Sequence, residues 1–171
     1  MTDPLGKITE GKDLLGKIRN FLAGFVGYVD RENRREADKM LREDLARRTR
    51  EQWSRISDVQ RQLAGAGQLE WLDDLEAAAI KLQTFADRIQ GAAYGYSGFF
   101  DAARVNEREL SQLYQYDLTL LEGVQRVSSA VDNVAASMGT DGMPAAVRNV
   151  VSLSQECIDA FDHREEVVLA P

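Results

Sequence analysis

The chain has 171 residues, of which 44% are hydrophobic and 29% are charged, a balance typical of one globular domain. One cysteine and one histidine exclude an intramolecular disulfide and any metal site that needs two imidazoles. The net charge of −7 is uneven: residues 1–61 carry 14 Lys and Arg against 11 Asp and Glu, and 62–171 carry 7 against 17. We therefore expect the N-terminal part to face an anionic surface or the acidic part of another copy.

Proline and the spacing of apolar residues indicate the fold class. The only prolines are at positions 4, 144 and 171, so nothing between 5 and 143 removes a backbone hydrogen-bond donor. Apolar residues recur at steps of three and four, and no segment combines a period of two with a hairpin signal. The sequence predicts an all-α protein, an antiparallel helical bundle of four to five helices with an amphipathic N-terminal helix.

The first predicted helix covers residues 5–29 and is amphipathic. Lys17 and Arg19 lie on its polar face, and its glycines lower its intrinsic helix propensity, so it needs a surface to fold against. A helix of this composition suits either a membrane interface or the side of the bundle. The apolar stripe consists of Leu14, Leu15, Ile18, Phe21, Leu22, Phe25, Val26 and Val29.

Residues 30–64 predict a second helix with many opposite charges at i and i+4, interpreted as a mostly solvated face. Gly65 and Gly67 predict its end, and a third helix begins near Gln68. A connection this short between two helices predicts an antiparallel hairpin.

Two further helices complete the predicted bundle. The fourth runs from about Asn106 to Met138, with an apolar stripe interrupted by Asp117, and the fifth begins near Pro144. We expect residues 1–29 to be the N-terminal helix, 30–164 the bundle domain and 165–171 a flexible tail. Asp117 is expected to pair with an arginine of the second helix, because an unpaired buried charge is costly.

Aromatic residues are concentrated around the connection between the third and fourth helices. They pack either in the core or on an exposed recognition surface for a partner helix or lipid headgroups. The candidates for this secondary interaction site are Tyr94, Tyr96, Phe99, Phe100, Tyr114 and Tyr116.

Metal-binding and nucleophilic sites are weakly indicated. Asp159 and His163 are separated by one helical turn, but a di-iron bundle needs a second histidine. Cys157 falls on an apolar stripe, which favours a buried thiol over a nucleophile. We therefore expect no metal and no cofactor.

Three functions remain open. The first is a non-enzymatic scaffold, cytoplasmic and peripheral to the inner face of the membrane, which docks on an anionic membrane or a protein partner and self-assembles. Its predicted contact residues are Leu14, Leu15, Lys17, Ile18, Arg19, Phe21, Leu22, Phe25 and Val26. The second is a soluble helical adaptor that acts only by protein–protein contacts. The third is a carboxylate-based enzyme or metal-binding bundle. Nucleic acid is disfavoured, because acidic residues interleave the arginines.

Overall fold

The computed structural model describes residues 4–92, Phe100 and 107–169, with side chains from Glu10 to Val168 within those ranges. The prediction of an all-α bundle is confirmed, and the described residues contain no strand. The helices are α1 (Pro4–Phe21), α2 (Arg34–Gly65), α3 (Leu72–Gly91), α4 (Glu107–Ser137) and α5 (Met143–Leu169). Short 3-10 helices at Arg31–Asn33 and Leu69–Trp71 precede α2 and α3.

Four of the helices form a bundle of two hairpins. Helices α2 and α3 pack as one antiparallel hairpin and α4 and α5 as the other, joined by the short connections expected from sequence. The hairpins pack with α3 beside α5 and α2 beside α4. Lys81 contacts Gln155 and Arg88 contacts Asp162, so α3 and α5 run in the same direction. Helix α1 lies outside this square and packs mainly on α4.

One hydrophobic core includes residues from all five of these helices. Ile18 from α1, Leu41 from α2, Leu82 from α3, Val127 from α4 and Val150 from α5 are each 0–1% exposed. Each comes from a stripe with the spacing of three and four that puts side chains on one helix face. Helix α1 therefore belongs to the same core as the bundle.

The first helix is shorter than predicted. It ends at Phe21 instead of continuing to Val29, and two glycines with φ of +84° and +82°, Gly24 and Gly27, turn the chain. Only glycine adopts this left-handed backbone without a steric cost. The apolar stripe continues through the loop as an irregular segment, in which Phe25 and Tyr28 are buried and Val29 is exposed.

Two further predictions need correction. The face of α2 expected to be solvated includes Arg34, Asp38 and Arg42, which are 2–6% exposed. The segment predicted to be a tail continues α5 as far as Leu169, and Val168 is 2% exposed within the core. The α2 segment is locally polar but is buried by packing against distant segments. The C-terminal segment is apolar from Val167 onward, and Val168 joins the core.

Candidate functional site

The main polar feature of the interior is a buried ion network, which we define as Tyr28, Asp38, Arg42, Asp117 and Arg164. Asp117 lies at its centre and is 0% exposed. Its Oδ1 accepts a hydrogen bond from Arg164 Nε at 2.6 Å, and its Oδ2 accepts one from the Tyr28 hydroxyl at 2.6 Å. The loop after α1, helix α4 and helix α5 thus meet at one carboxylate.

Helix α2 contributes the second carboxylate. Asp38 accepts hydrogen bonds from Arg164 Nη2 at 2.7 Å and from Arg42 Nε at 2.8 Å. Arg42 in turn donates to the carbonyl of Ile89 at 3.3 Å near the end of α3. Arg164 therefore bridges Asp38 and Asp117, and the network joins all four helices of the bundle. Such charge-assisted hydrogen bonds are the strong ones in a protein interior.

Tyr28 is the member of the network that holds the N-terminal segment. Its backbone N–H donates to the Tyr114 hydroxyl at 2.7 Å, and its carbonyl accepts from Arg34 Nε at 2.8 Å. Its ring lies 5.2 Å from the Tyr114 ring and 5.9 Å from the Phe100 ring, centroid to centroid. An aromatic body with a hydrogen-bonded hydroxyl suits this half-polar interior.

Burial shifts the acid–base properties of the network. Desolvation raises the pKa of Tyr28 well above its usual value, and the neighbouring Asp117 adds to the rise. Desolvation also raises the pKa of Asp117, while Arg164 and the Tyr28 hydroxyl oppose that rise. The tyrosine hydroxyl therefore stays a donor at neutral pH. Tyr28, Asp117 and Arg164 are each 0% exposed, and the hydrogen bonds between them connect the loop after α1 with α4 and α5.

The arginine partner of Asp117 differs from the prediction. An arginine of the second helix was expected, but the partner is Arg164 of α5, and the second helix contributes the carboxylate of Asp38. Helical spacing shows which residues share a face but does not give the register between helices. Sequence alone does not mark Arg164 as an internal residue, because it follows two polar residues, Asp162 and His163, next to the predicted tail.

The predicted docking stripe lies mainly in the core. Leu14, Ile18, Leu22 and Phe25 are 0–8% exposed, and Leu15 and Phe21 are partly buried against the same core. Val26 is 50% exposed on the loop, and Lys17 and Arg19 are exposed on the outer side of α1. A surface role for this stripe would require α1 to leave the bundle.

The described residues of the predicted aromatic site do not form one surface in the structure. Tyr94, Tyr96 and Phe99 lie outside the described residues. Phe100 and Tyr114 are 1% and 3% exposed and belong to the core. The half-buried ring of Tyr116 stacks on exposed His163, with centroids 6.4 Å apart.

The cysteine and the carboxylates of α5 have ordinary surroundings. Cys157 is 2% exposed, and burial raises the pKa of its thiol to about 12, which keeps it protonated. Within the ranges given above, no three His, Cys, Asp or Glu side chains are arranged to hold a metal ion. No helix in the described part of the chain is both long and apolar enough to span a membrane.

Acidic residues are in excess on the solvent-facing sides of α3 and α5, a feature that the sequence totals indicate only as a difference between halves. The acidic layer, defined as the solvent-facing side of α3 and α5, carries nine Asp and Glu against three exposed or half-exposed Lys and Arg. The exposed Ile80, with 54% of its surface accessible, shares a helix face with Glu76 and Asp87. The acidic residues are Asp73, Asp74, Glu76, Asp87, Glu156, Asp159, Asp162, Glu165 and Glu166, and the basic ones are Lys81, Arg88 and Arg148.

A shallow groove lies between α4 and α5. It measures about 400 Å³ and is lined mostly by polar or small side chains, including Gln125, Ser129, Asn133 and Asn149.

Comparison of the chain with known protein families, with curated proteins and with solved structures finds no match.

Proposed function

We propose that this protein is a non-enzymatic helical adaptor that acts by protein–protein contacts and uses the acidic layer to bind a basic partner surface. The observation that carries this proposal is the excess of exposed carboxylates on α3 and α5, with the exposed Ile80 on the same face of α3 as Glu76 and Asp87. Opposite charges steer partners together and fix their register, while an exposed apolar side chain supplies contact area.

The burial of the α1 stripe favours this function over docking through the N-terminal helix. Ile18 and Phe25 are 0% exposed, so they cannot enter a membrane or a partner while α1 is packed. The exposed side of α1 and the following turn also carry acids beside the bases, such as Asp13 beside Lys12 and Glu32 beside Arg31. Interleaved charges weaken the attraction to an anionic surface.

The experiment places a photo-cross-linking amino acid at position 80 and irradiates the full chain in cell extract at low and high salt. We expect a discrete cross-linked protein product that disappears at high salt, because exposed charge pairs are screened. The same product should be lost in the neutralised variant Glu76→Gln/Asp87→Asn/Asp159→Asn.

A matched control neutralises three exposed acids of α2, Glu36→Gln/Glu43→Gln/Asp58→Asn, and should retain the product. Equal loss in both variants would show dependence on total charge and would overturn the assignment to the acidic layer. Co-sedimentation of the wild-type chain with anionic vesicles, lost in Phe21→Glu at unchanged melting temperature, would instead support docking through α1.

A further inference from the structure

The segment from Pro4 to Asn33, here called the strap, is attached to the bundle from outside. Its helix α1 packs on α4, and Arg48 of α2 donates a hydrogen bond to the carbonyl of Phe21. Buried apolar side chains of the strap join the core where α1 contacts α4 and the following loop contacts α2, a place here called the α2/α4 groove. They are Leu14, Ile18, Leu22, Phe25 and Tyr28.

Tyr28 is the polar latch of the strap. Its hydroxyl reaches Asp117 at 2.6 Å, and its N–H reaches the Tyr114 hydroxyl at 2.7 Å, both in the interior. Gly27 allows this approach, because a Cβ there would lie 2.6 Å from the Tyr114 hydroxyl. The latch thus depends on a hydroxyl of the strap and on a residue without a side chain beside it.

A solvated turn separates the latch from α2. Val29 is 69% exposed, and Asp30, Glu32 and Asn33 are exposed between Tyr28 and the first residue of α2. These residues can change direction without opening the core. The strap has three glycines within α1, so its helix depends on the groove for stability.

We propose that the strap exchanges between two copies of this chain when the latch opens, so that the strap of one copy occupies the α2/α4 groove of the other. The strap is the segment that occupies this groove in the structure, through α1 on α4 and the following loop on α2. Every contact of the strap up to Tyr28 can form equally between copies, and only the turn at 29–33 must change. Exchange of an identical element is a low-cost route to a dimer.

One engineered disulfide distinguishes the closed monomer from the exchanged dimer. A Cβ on Gly11 would lie 4.0 Å from Ser111 Oγ, so Gly11→Cys/Ser111→Cys places two thiols within reach of a disulfide across α1 and α4. In the closed protein this bond forms within one chain, and in the exchanged dimer it joins two chains. Oxidation followed by non-reducing electrophoresis distinguishes them by mass.

The double-cysteine protein is oxidised after incubation at high concentration, with and without the latch substitution Tyr28→Phe. Because the latch contacts are the same within and between copies, Tyr28→Phe should speed the exchange without shifting its equilibrium. We expect covalent dimer to form at least tenfold faster with Tyr28→Phe, and light scattering of the dimer fraction before oxidation should give twice the monomer mass. Each single-cysteine variant measures the background of disulfides between closed copies, to which the buried Cys157 does not contribute, and the double-cysteine dimer must exceed that background.

Two further experiments test the exchange if Tyr28→Phe folds poorly. Gly27→Ala displaces the Tyr114 hydroxyl from the Tyr28 N–H, a second contact of the latch, and keeps every side chain of the ion network. The double-cysteine protein with a native latch can also be refolded from denaturant at high concentration. Both should give covalent dimers. Covalent monomers alone from folded Tyr28→Phe, or from the refolded protein, would overturn the exchange while leaving the acidic-layer proposal untouched.

Discussion

Two glycines in the loop after α1 allow the energetic cost of a left-handed backbone to be separated from the cost of a close contact. Gly24 and Gly27 have nearly the same φ, +84° and +82°. An alanine in this left-handed region costs about 1–2 kcal/mol. A Cβ at position 24 would meet only Met40 Cε at 3.9 Å, an ordinary contact, so Gly24→Ala should destabilise the protein by about 1–2 kcal/mol.

Gly27→Ala should cost more, because its Cβ would lie 2.6 Å from the Tyr114 hydroxyl and 3.1 Å from Leu15 Cδ1. The tyrosine must move, and the buried N–H of Tyr28 then loses the hydroxyl that accepts its hydrogen bond. An unsatisfied buried donor costs about 1–3 kcal/mol, so we expect a total of about 2–5 kcal/mol.

The assay is urea denaturation of the wild type and both variants, followed by circular dichroism and by the fluorescence of Trp53 and Trp71, which pack against the core. The informative quantity is the difference between the two variants, about 1–3 kcal/mol, since the backbone cost is common to both. If Gly27→Ala is no more destabilising than Gly24→Ala, the close contact around Tyr114 does not exist in solution and the reasoning is refuted.

Three other substitutions test burial and pKa. Arg164→Ala leaves Asp117 in the interior without its cation and should destabilise the fold by about 3–5 kcal/mol. Arg47→Ala removes contacts to two carboxylates at the surface and should destabilise it by under about 1 kcal/mol. Equal losses in urea denaturation would contradict this. The Cys157 pKa of about 12 exceeds its usual 9.0, so the folded state binds this proton more tightly than the unfolded chain, and stability should fall as pH rises from 9.0 towards 12. The free energy of unfolding should fall by up to about 1.4 kcal/mol per pH unit in this range, and it should fall less steeply in Cys157→Ala. Identical slopes in the two proteins would count against a buried thiol.

The sequence predicts the helices well because their signals are local. The stripe of α4 and the glycines after α2 depend only on neighbouring residues, and the observed bounds of Glu107–Ser137 and Arg34–Gly65 lie within a few residues of the prediction. The end of α1 was missed, since Phe25 continues the spacing of the stripe although it lies in a loop.

The candidate site was only partly predictable. Asp117 stands out as an acid within an apolar stripe, which correctly indicates a buried pair. Its partner cannot be read from spacing, because Arg164 is 47 positions away and its approach depends on how α4 and α5 are rotated. Asp38 resembles a surface member of an i,i+4 pair with Arg42, and only the position of α5 shows that both are internal.

The ion network also constrains the order in which the chain can become native during synthesis on the ribosome. Tyr28, Asp38 and Asp117 are translated well before Arg164, the cation that bridges both carboxylates. Until α5 emerges, α2 and α4 would have to bring Asp38 and Asp117 together without their shared counter-charge. We therefore expect native closure of this end of the bundle only after Arg164 has been made.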